Sequence, residues 1–262
     1  MNKLLCITII LTFFSVQNTA LFAQPGKEGT YIKITYLNVV PDATGSVLEE
    51  AGNSWGRHQQ KRVDDGDILR WHFYKVPYSG DRQKSYNFVS LESATDLNAL
   101  QATSRPSALE YRKKLKETSC LKYTVHSEIW KIESVVHDGL QQIPSRYMNV
   151  NYMRAASGRL NEYLELETDI ARPLHTHQME NERMDGWAFH RLVFPTGVSA
   201  PFNFITADFY SNLQQIEMGI TRQVIGEVHP DMDVDEFESF ADAIRERVHS
   251  DLWELLEYAI AE

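Results

Sequence analysis

Trp187-Ala188-Phe189-His190-Arg191-Leu192, followed by Asn203-Phe204-Ile205, restates Trp71-His72-Phe73-Tyr74-Lys75-Val76 and Asn87-Phe88-Val89 at a constant offset of 116 residues. The same offset matches Tyr36 to Tyr152, Leu48-Glu49 to Leu164-Glu165 and Leu97 to Leu213, giving eight identities in 62 positions. The identities are few, but Trp-x-Phe and Asn-Phe keep their mutual distance in both copies. Conservative pairs lie between them, such as Tyr86 with Phe202 and Lys75 with Arg191. A later echo supports the reading: Val125-His126-Ser127-Glu128-Ile129-Trp130 returns as Val248-His249-Ser250-Asp251-Leu252-Trp253, now offset by 123 residues. The second copy has therefore gained about seven residues in a loop. A period above about 100 residues is too long for a solenoid and denotes two domain-sized copies in tandem.

Each copy has the same order of elements. In the first, Tyr31 to Val40 alternates as a strand should, and Pro41-Asp42 ends it. Val47, Leu48, Ala51, Trp55 and His58 recur at helical spacing up to Asp65-Gly66. Strands are expected at Ile68–Val76 and Tyr86–Leu91 around a polar loop, Tyr78–Lys84. Helical stretches follow at Ala94–Leu100 and Ser107–Lys116, then a closing strand at Ile129–Val136. The second copy predicts strands at Met148–Met153, Asp185–Phe194 and Phe202–Ala207. Its helices fall at Leu160–Met179 and Val234–Arg247, and its closing strand at Asp251–Ala259. The order is β-α-β-β-α-β, the ferredoxin-like unit, with repeats at 31–136 and 147–262 and a linker, His137–Arg146, between them. Such a unit leaves one sheet face uncovered, and here that face is aromatic and apolar. Two copies can cover each other. The expected fold is α+β: an intramolecular pseudo-dimeric barrel with the helices outside.

With this arrangement the chain resembles the dimeric α+β barrel superfamily in tandem-duplicated form. That superfamily includes antibiotic-biosynthesis-type monooxygenases, haem-degrading monooxygenases and EthD-like proteins. The runs Tyr163-Leu164-Glu165-Leu166-Glu167, Arg172-Pro173-Leu174-His175 and Gly186-Trp187-Ala188-Phe189 look more narrowly like a family of exported bacterial proteins. The resemblance is specific for fold and weak for activity, because the superfamily carries many chemistries. It implies a small apolar or aromatic ligand in the barrel and monooxygenase-like chemistry. It raises haem as a cofactor, although the residues themselves predict none. The haem-degrading relatives join an Asn, a Trp and a His. The first-strand Asn has Asn38 as its nearest match here and Arg154 in the second copy, so the triad does not carry over cleanly.

The residues mark several candidate positions. Trp71 and Trp187 either pack sheet on helix or form an aromatic ligand wall. Asn87 and Asn203 either tie strands to neighbouring backbone or meet a ligand. Tyr36 and Tyr152 are equivalent in the two copies and are also assigned to ligand binding. Tyr74 and His190 are equivalent too, and both face inward if their strand face lines the barrel. A histidine there can donate, accept or transfer a proton near neutral pH. In the second helix-forming stretch, Leu160, Tyr163, Glu167, Ile170 and Leu174 form one stripe, which buries Glu167. A carboxylate there needs a partner, and His175 or Arg191 is expected. Pro173 should kink this helix. The catalytic candidates are thus His190, Glu167 and His175. The sharp test is whether Tyr74, His190 and Glu167 line a cavity of roughly a few hundred Å3. Otherwise the chain is a non-catalytic binding or interaction protein with a filled barrel.

Composition narrows the partners. Net charge is −10, with 26 basic against 36 acidic residues, which disfavours nucleic acid. A metal site is not expected: His175-Thr176-His177 puts its rings on different helix faces, and His229 with Asp231 to Asp235 reads as a capped helix start. Lys3 precedes an apolar run of 13 residues, Leu4 to Val16, and Ala20 and Ala23 follow. This predicts a signal peptide over 1–23 and an exported product, periplasmic or extracellular, with no transmembrane segment in the mature chain. Such a product keeps Cys120 alone, so no internal disulfide forms. A monomer or homodimer is expected.

Overall fold

A computed structural model of the chain describes residues 28–39, 45, 53, 55–81, 83, 86–101, 121–137, 144–197 and 200–261. The expected leader, the helix start around Val47–Ala51, the helix at Ser107–Lys116 and Cys120 lie outside these residues.

The first repeat contains β1 (Tyr31–Val39), α1 (Gly56–Asp64), β2 (Arg70–Ser79), β3 (Phe88–Ala94), α2 (Leu97–Gln101) and β4 (Leu121–His137). The second contains β5 (Tyr147–Ala155), α3 (Leu160–Glu165), a π-helical turn (Leu166–Ala171), α4 (Arg172–Glu180), β6 (Gly186–Phe194) and β7 (Phe204–Tyr210). It ends with α5 (Leu213–Met218), α6 (Arg222–Val228), α7 (Val234–Ile244) and β8 (Arg245–Ile260). The strands form one closed barrel in the order β1-β3-β2-β8-β5-β7-β6-β4. Each repeat supplies its own four-stranded sheet, and the seams β2–β8 and β4–β6 join the two. Closure leaves no strand edge unpaired, which is the usual difficulty of an open sheet.

The closing strands are longer than their local pattern predicts. β4 begins at Leu121 rather than near Ile129, and β8 begins at Arg245, where a helix was expected to continue. The cause is pairing. The first part of β4 pairs with β1 (Val39 opposite Leu121) and its last part with β6 (His137 opposite Gly186). Likewise β8 starts on β5 (Ala155 opposite Arg245) and ends on β2 (Arg70 opposite Ile260). Each long strand bridges both sheets; at the start of β8, pairing with β5 overrides the local helical preference.

Strand alternation then sorts the side chains. Tyr36, Tyr74, Trp130, Tyr152 and Trp253 point inward with Ile32, Ile34, Val150 and Ile205 to form the barrel core. Trp71, Phe73 and Phe88 face outward and pack with Val63 of α1. Trp187, Phe189 and Phe204 do the same with Tyr163, Leu166 and Ile244. The two outer layers match closely: Trp71 stacks on Phe73 at 6.1 Å, and Trp187 on Phe189 at 6.2 Å.

The expected kink in the second-repeat helix takes the form of the π-helical turn just ahead of Pro173. Proline has no N–H and crowds the carbonyl four residues back, so widening the turn accommodates it.

Candidate functional site

The barrel interior is not completely filled. A cavity of about 110 Å3 remains, bordered by Ile32, Tyr74, Ile205 and Trp253. Its walls are mainly apolar, but four polar atoms on the residues lining it are buried with no hydrogen-bond partner: Arg70 Nη2, His72 Nε2, Ser93 Oγ and His190 Nδ1. Tyr74 and His190 both line it, at the equivalent positions expected from the repeat. The Tyr74 hydroxyl lies 3.4 Å from His72 Nδ1. Burial, aided by the Arg70 charge, lowers the His72 pKa to about 3. Burial lowers that of His190 to about 4, and the neighbouring Ile205 backbone offsets only part of that shift. Both imidazoles are therefore neutral near pH 7. Arg70 falls only to about 10 through burial and stays charged.

A second pocket, of about 290 Å3, lies at the end of the barrel where β1 and β5 finish. It holds Tyr36 and Tyr152, and its plan is two-fold. Tyr36 stands opposite His126 across β1–β4 and stacks on it at 4.2 Å; Tyr152 stands opposite His249 across β5–β8 and stacks at 4.1 Å. A β-bulge follows each tyrosine, between Tyr36 and Leu37 and between Tyr152 and Met153. Bulges at barrel rims re-aim side chains. The two tyrosine hydroxyls are 3.1 Å apart. Tyr36 gives its single hydrogen to Glu128 Oε2 at 2.8 Å, so Tyr152 is the donor between the hydroxyls. Trp130 Nε1 donates to the same Glu128 oxygen at 3.1 Å.

The second half of this pocket is not a copy of the first. Asp251 replaces Glu128 and is one methylene shorter; Trp253 Nε1 is left without a partner, as is Asp251 Oδ1. Asp251 instead accepts from Tyr86 at 2.6 Å, and Phe202 stands where Tyr86 would recur. His126, Glu128, His249 and Asp251 were legible in the sequence only as the strongest echo of the duplication. That echo was also the signal for this cluster.

The other expected site residues lie elsewhere. Glu167 is buried, 2% exposed, beneath the second-repeat helices and away from the cavity. Its partner is neither His175 nor Arg191. Arg245, at the start of β8, reaches Glu167 Oε1 at 3.7 Å, while Arg191 pairs with Glu133 at 2.7 Å. Burial raises the Glu167 pKa, and Arg245 opposes that shift. His175 stacks on Trp187 at 4.7 Å in the same outer layer, and burial lowers its pKa to about 3. His190 lies on the inner face of that sheet, so the three catalytic candidates do not share a site. Trp71 and Trp187 belong to the sheet–helix layers, not to a ligand wall. Asn87 brackets Val39, accepting from its N–H at 2.9 Å and donating to its carbonyl at 2.8 Å; Asn203 accepts from Ala155 N–H at 3.0 Å. Those side chains hold the hairpin to the end of the first strand of each repeat. Among the described residues no group of three or more His, Cys, Asp or Glu could hold a metal ion. No helix among them is long and apolar enough to cross a membrane.

No protein-family model matches the chain, and no curated protein matches it by sequence. Solved structures do match its fold. A candidate monooxygenase from Lactobacillus acidophilus superposes with a TM-score of 0.57 at 9% identity, covering 89% of this chain and 97% of the other. A mutant chlorite dismutase from Candidatus Nitrospira defluvii gives 0.52 at 11% identity, with 88% and 92% covered. A haem-binding protein from Thermus thermophilus gives 0.50 at 10% identity, with 87% and 92% covered. At these identities the likeness is one of fold: the chain has the architecture of the dimeric α+β barrels, in one polypeptide.

Proposed function

We propose that this chain binds a small, largely apolar or aromatic molecule inside its barrel. One observation carries the reading: an apolar cavity whose lining residues leave four buried polar atoms unpartnered. Buried polar groups are nearly always satisfied, so Arg70, His72, Ser93 and His190 call for a ligand group or water. A volume of about 110 Å3 is close to that of the engineered cavity of about 150 Å3 that takes up benzene. The ligand is then about the size of a single ring. A hydrogen-bond acceptor on it would meet Arg70, and a donor would meet a neutral imidazole.

Monooxygenase-like chemistry is the finer form of this proposal. It is supported by the resemblance and by the name of one structural neighbour. In such a reaction the neutral imidazoles of His72 and His190 would orient bound substrate by hydrogen bonding, and the apolar walls would exclude water. Haem is the cofactor that another neighbour's name brings forward. The cavity fits it poorly: a ligand of that size needs roughly 300 Å3 or more, against about 110 Å3 here. The small volume favours a second reading, a binding protein without catalysis, because Tyr36, Trp130, Tyr152 and Trp253 fill most of the interior.

Mass spectrometry of the native protein should find a retained small molecule. Ala207→Leu, which fills the cavity wall, should abolish its retention. A protein that carries no ligand and shows no thermal shift with small aromatics would overturn the proposal. Added haemin should give no Soret shift beyond that of free haemin. Export is proposed from the leader alone, and the N-terminus of the mature protein recovered from the periplasm or medium should be Gln24.

A further inference from the structure

We propose that the molecule held in the barrel cavity is a small aromatic monoacid whose carboxylate docks on Arg70, His72 and Ser93. This rests on the cavity-binding function proposed above and names the class of its ligand. The duplication supplies the comparison that carries it. Arg70 and Ser93 stand directly opposite each other across β2–β3, and His72 is two residues further along the same strand face. The equivalent positions of the second repeat hold Gly186, Phe209 and Ala188, and Gly186 stands opposite Phe209 in the same register across β6–β7. All six residues line the cavity. At these positions one wall therefore carries hydrogen-bonding side chains, and its pseudo-symmetric counterpart is apolar. A ligand that matches both has a polar end and an apolar body.

The polar wall offers donors and a positive charge. Arg70 Nη2, His72 Nε2 and Ser93 Oγ are all buried without a partner. A guanidinium only donates, and a serine hydroxyl can donate. The Tyr74 hydroxyl reaches His72 Nδ1; with the tyrosine donating there, the neutral ring carries its hydrogen on Nε2 and turns it to the cavity. Asp185 is the one carboxylate that lines the cavity among the described residues, and it is engaged elsewhere: Ser211 donates to its Oδ2 at 2.7 Å and Gln215 to its Oδ1 at 3.3 Å. A buried charge is costly without an opposite one. Water can satisfy Ser93 and His72 but leaves the Arg70 charge uncompensated. A neutral ligand does the same, and an ammonium ligand is repelled. A carboxylate brings the missing negative charge, and its planar pair of oxygens suits the guanidinium fork. The ring of such a ligand then faces Ala188, Ala207 and Phe209.

The experiment is calorimetric titration of the purified full chain at pH 7 with benzoate, ionised there, and with benzyl alcohol and benzylamine as neutral and cationic analogues. Benzoate should bind about tenfold or more tighter than benzyl alcohol, and benzylamine should not bind. Arg70→Met, which keeps the length of the side chain and removes its charge, should weaken benzoate about tenfold or more and leave benzyl alcohol unchanged. Ser93→Ala should weaken benzoate a few-fold and serves if Arg70→Met fails to fold. Ala207→Leu should abolish binding of both, which places them in the cavity. If benzyl alcohol binds as tightly as benzoate, or if Arg70→Met and Ser93→Ala both fold and bind benzoate like the wild type, the acid is overturned and the cavity still binds a small aromatic. Benzoate binding that survives Ala207→Leu overturns the assignment to this cavity. If neither benzoate nor benzyl alcohol binds at millimolar concentration, the cavity-binding function fails and the acid with it.

Discussion

His190 sits at the same repeat position as Tyr74, and burial sets its chemistry. Its pKa falls from 6.5 to about 4, so the folded state excludes a proton that the unfolded chain takes up. A depressed histidine contributes stability that is present above pH 6.5 and lost as pH falls toward 4. His72 adds to this, at about 3. Asp208 acts in the opposite sense. Burial raises its pKa from 3.8 to about 6, although Asn149 and Asn151 each donate to it at 3.1 Å. Its contribution is full below pH 3.8 and lost as pH rises through 6. Two predictions follow from these signs. In urea unfolding, His190→Leu should lose about 2 kcal/mol less than the wild type between pH 7 and pH 4.5. Equal losses would mean that the ring is not held neutral. Asp208→Asn should remove a decline of about 3 kcal/mol or less between pH 4 and 6.5, leaving the rise due to the histidines steeper than in the wild type. At this scale the sequence shows which groups are buried and not what they meet. The Glu167 stripe is plain in the helical spacing. Arg245 is not, because it lies 78 residues further on and on a different kind of element.

Elements were legible where their own side chains decide them, and less so where a neighbour does. β1 and the start of β2 follow the period-two pattern of their residues, while β3, β6 and β7 are short apolar or aromatic runs buried on both faces and bounded by turns. β4 and β8 extend into segments, 121–128 and 245–250, whose own pattern is weak, because β1 and β5, the first strands of their own repeats, pair with them. The seams also place demands that no pattern shows. At the β4–β6 seam a Cβ on Gly186 would stand 2.8 Å from the Val136 carbonyl oxygen. At the β2–β8 seam one on Gly80 would stand 2.9 Å from the Ser250 carbonyl oxygen. Both contacts are with backbone, which cannot swing away. Gly186→Ala should therefore destabilise the protein by about 1–3 kcal/mol, read as a lowered urea midpoint at unchanged slope. Gly66→Ala makes a useful contrast. Its cost comes from positive φ alone, since nothing lies within 4 Å of that Cβ. A Gly186→Ala protein as stable as the wild type would show that this seam can open without penalty.

For the molecule as a whole, the duplication is both a symmetry and a constraint. Each repeat exposes an aromatic sheet face that only the other covers, so the barrel core belongs to neither half. Tyr36 and Tyr152 touch across the pseudo-two-fold axis. The core draws Ile32, Tyr74 and Trp130 from one repeat and Met148, Ile205 and Trp253 from the other. Burying a large apolar side chain contributes roughly 1.5–3 kcal/mol, and separating the repeats would re-expose many of them while breaking both seams. The covalent connection is therefore dispensable once the barrel has formed. A cut introduced within 138–143 should not separate the halves. The cut protein should elute at the volume of the intact chain and unfold in a single transition. Two fragments eluting apart under native conditions would mean that each repeat covers its own sheet face. That outcome would contradict the shared core from which both pockets are built.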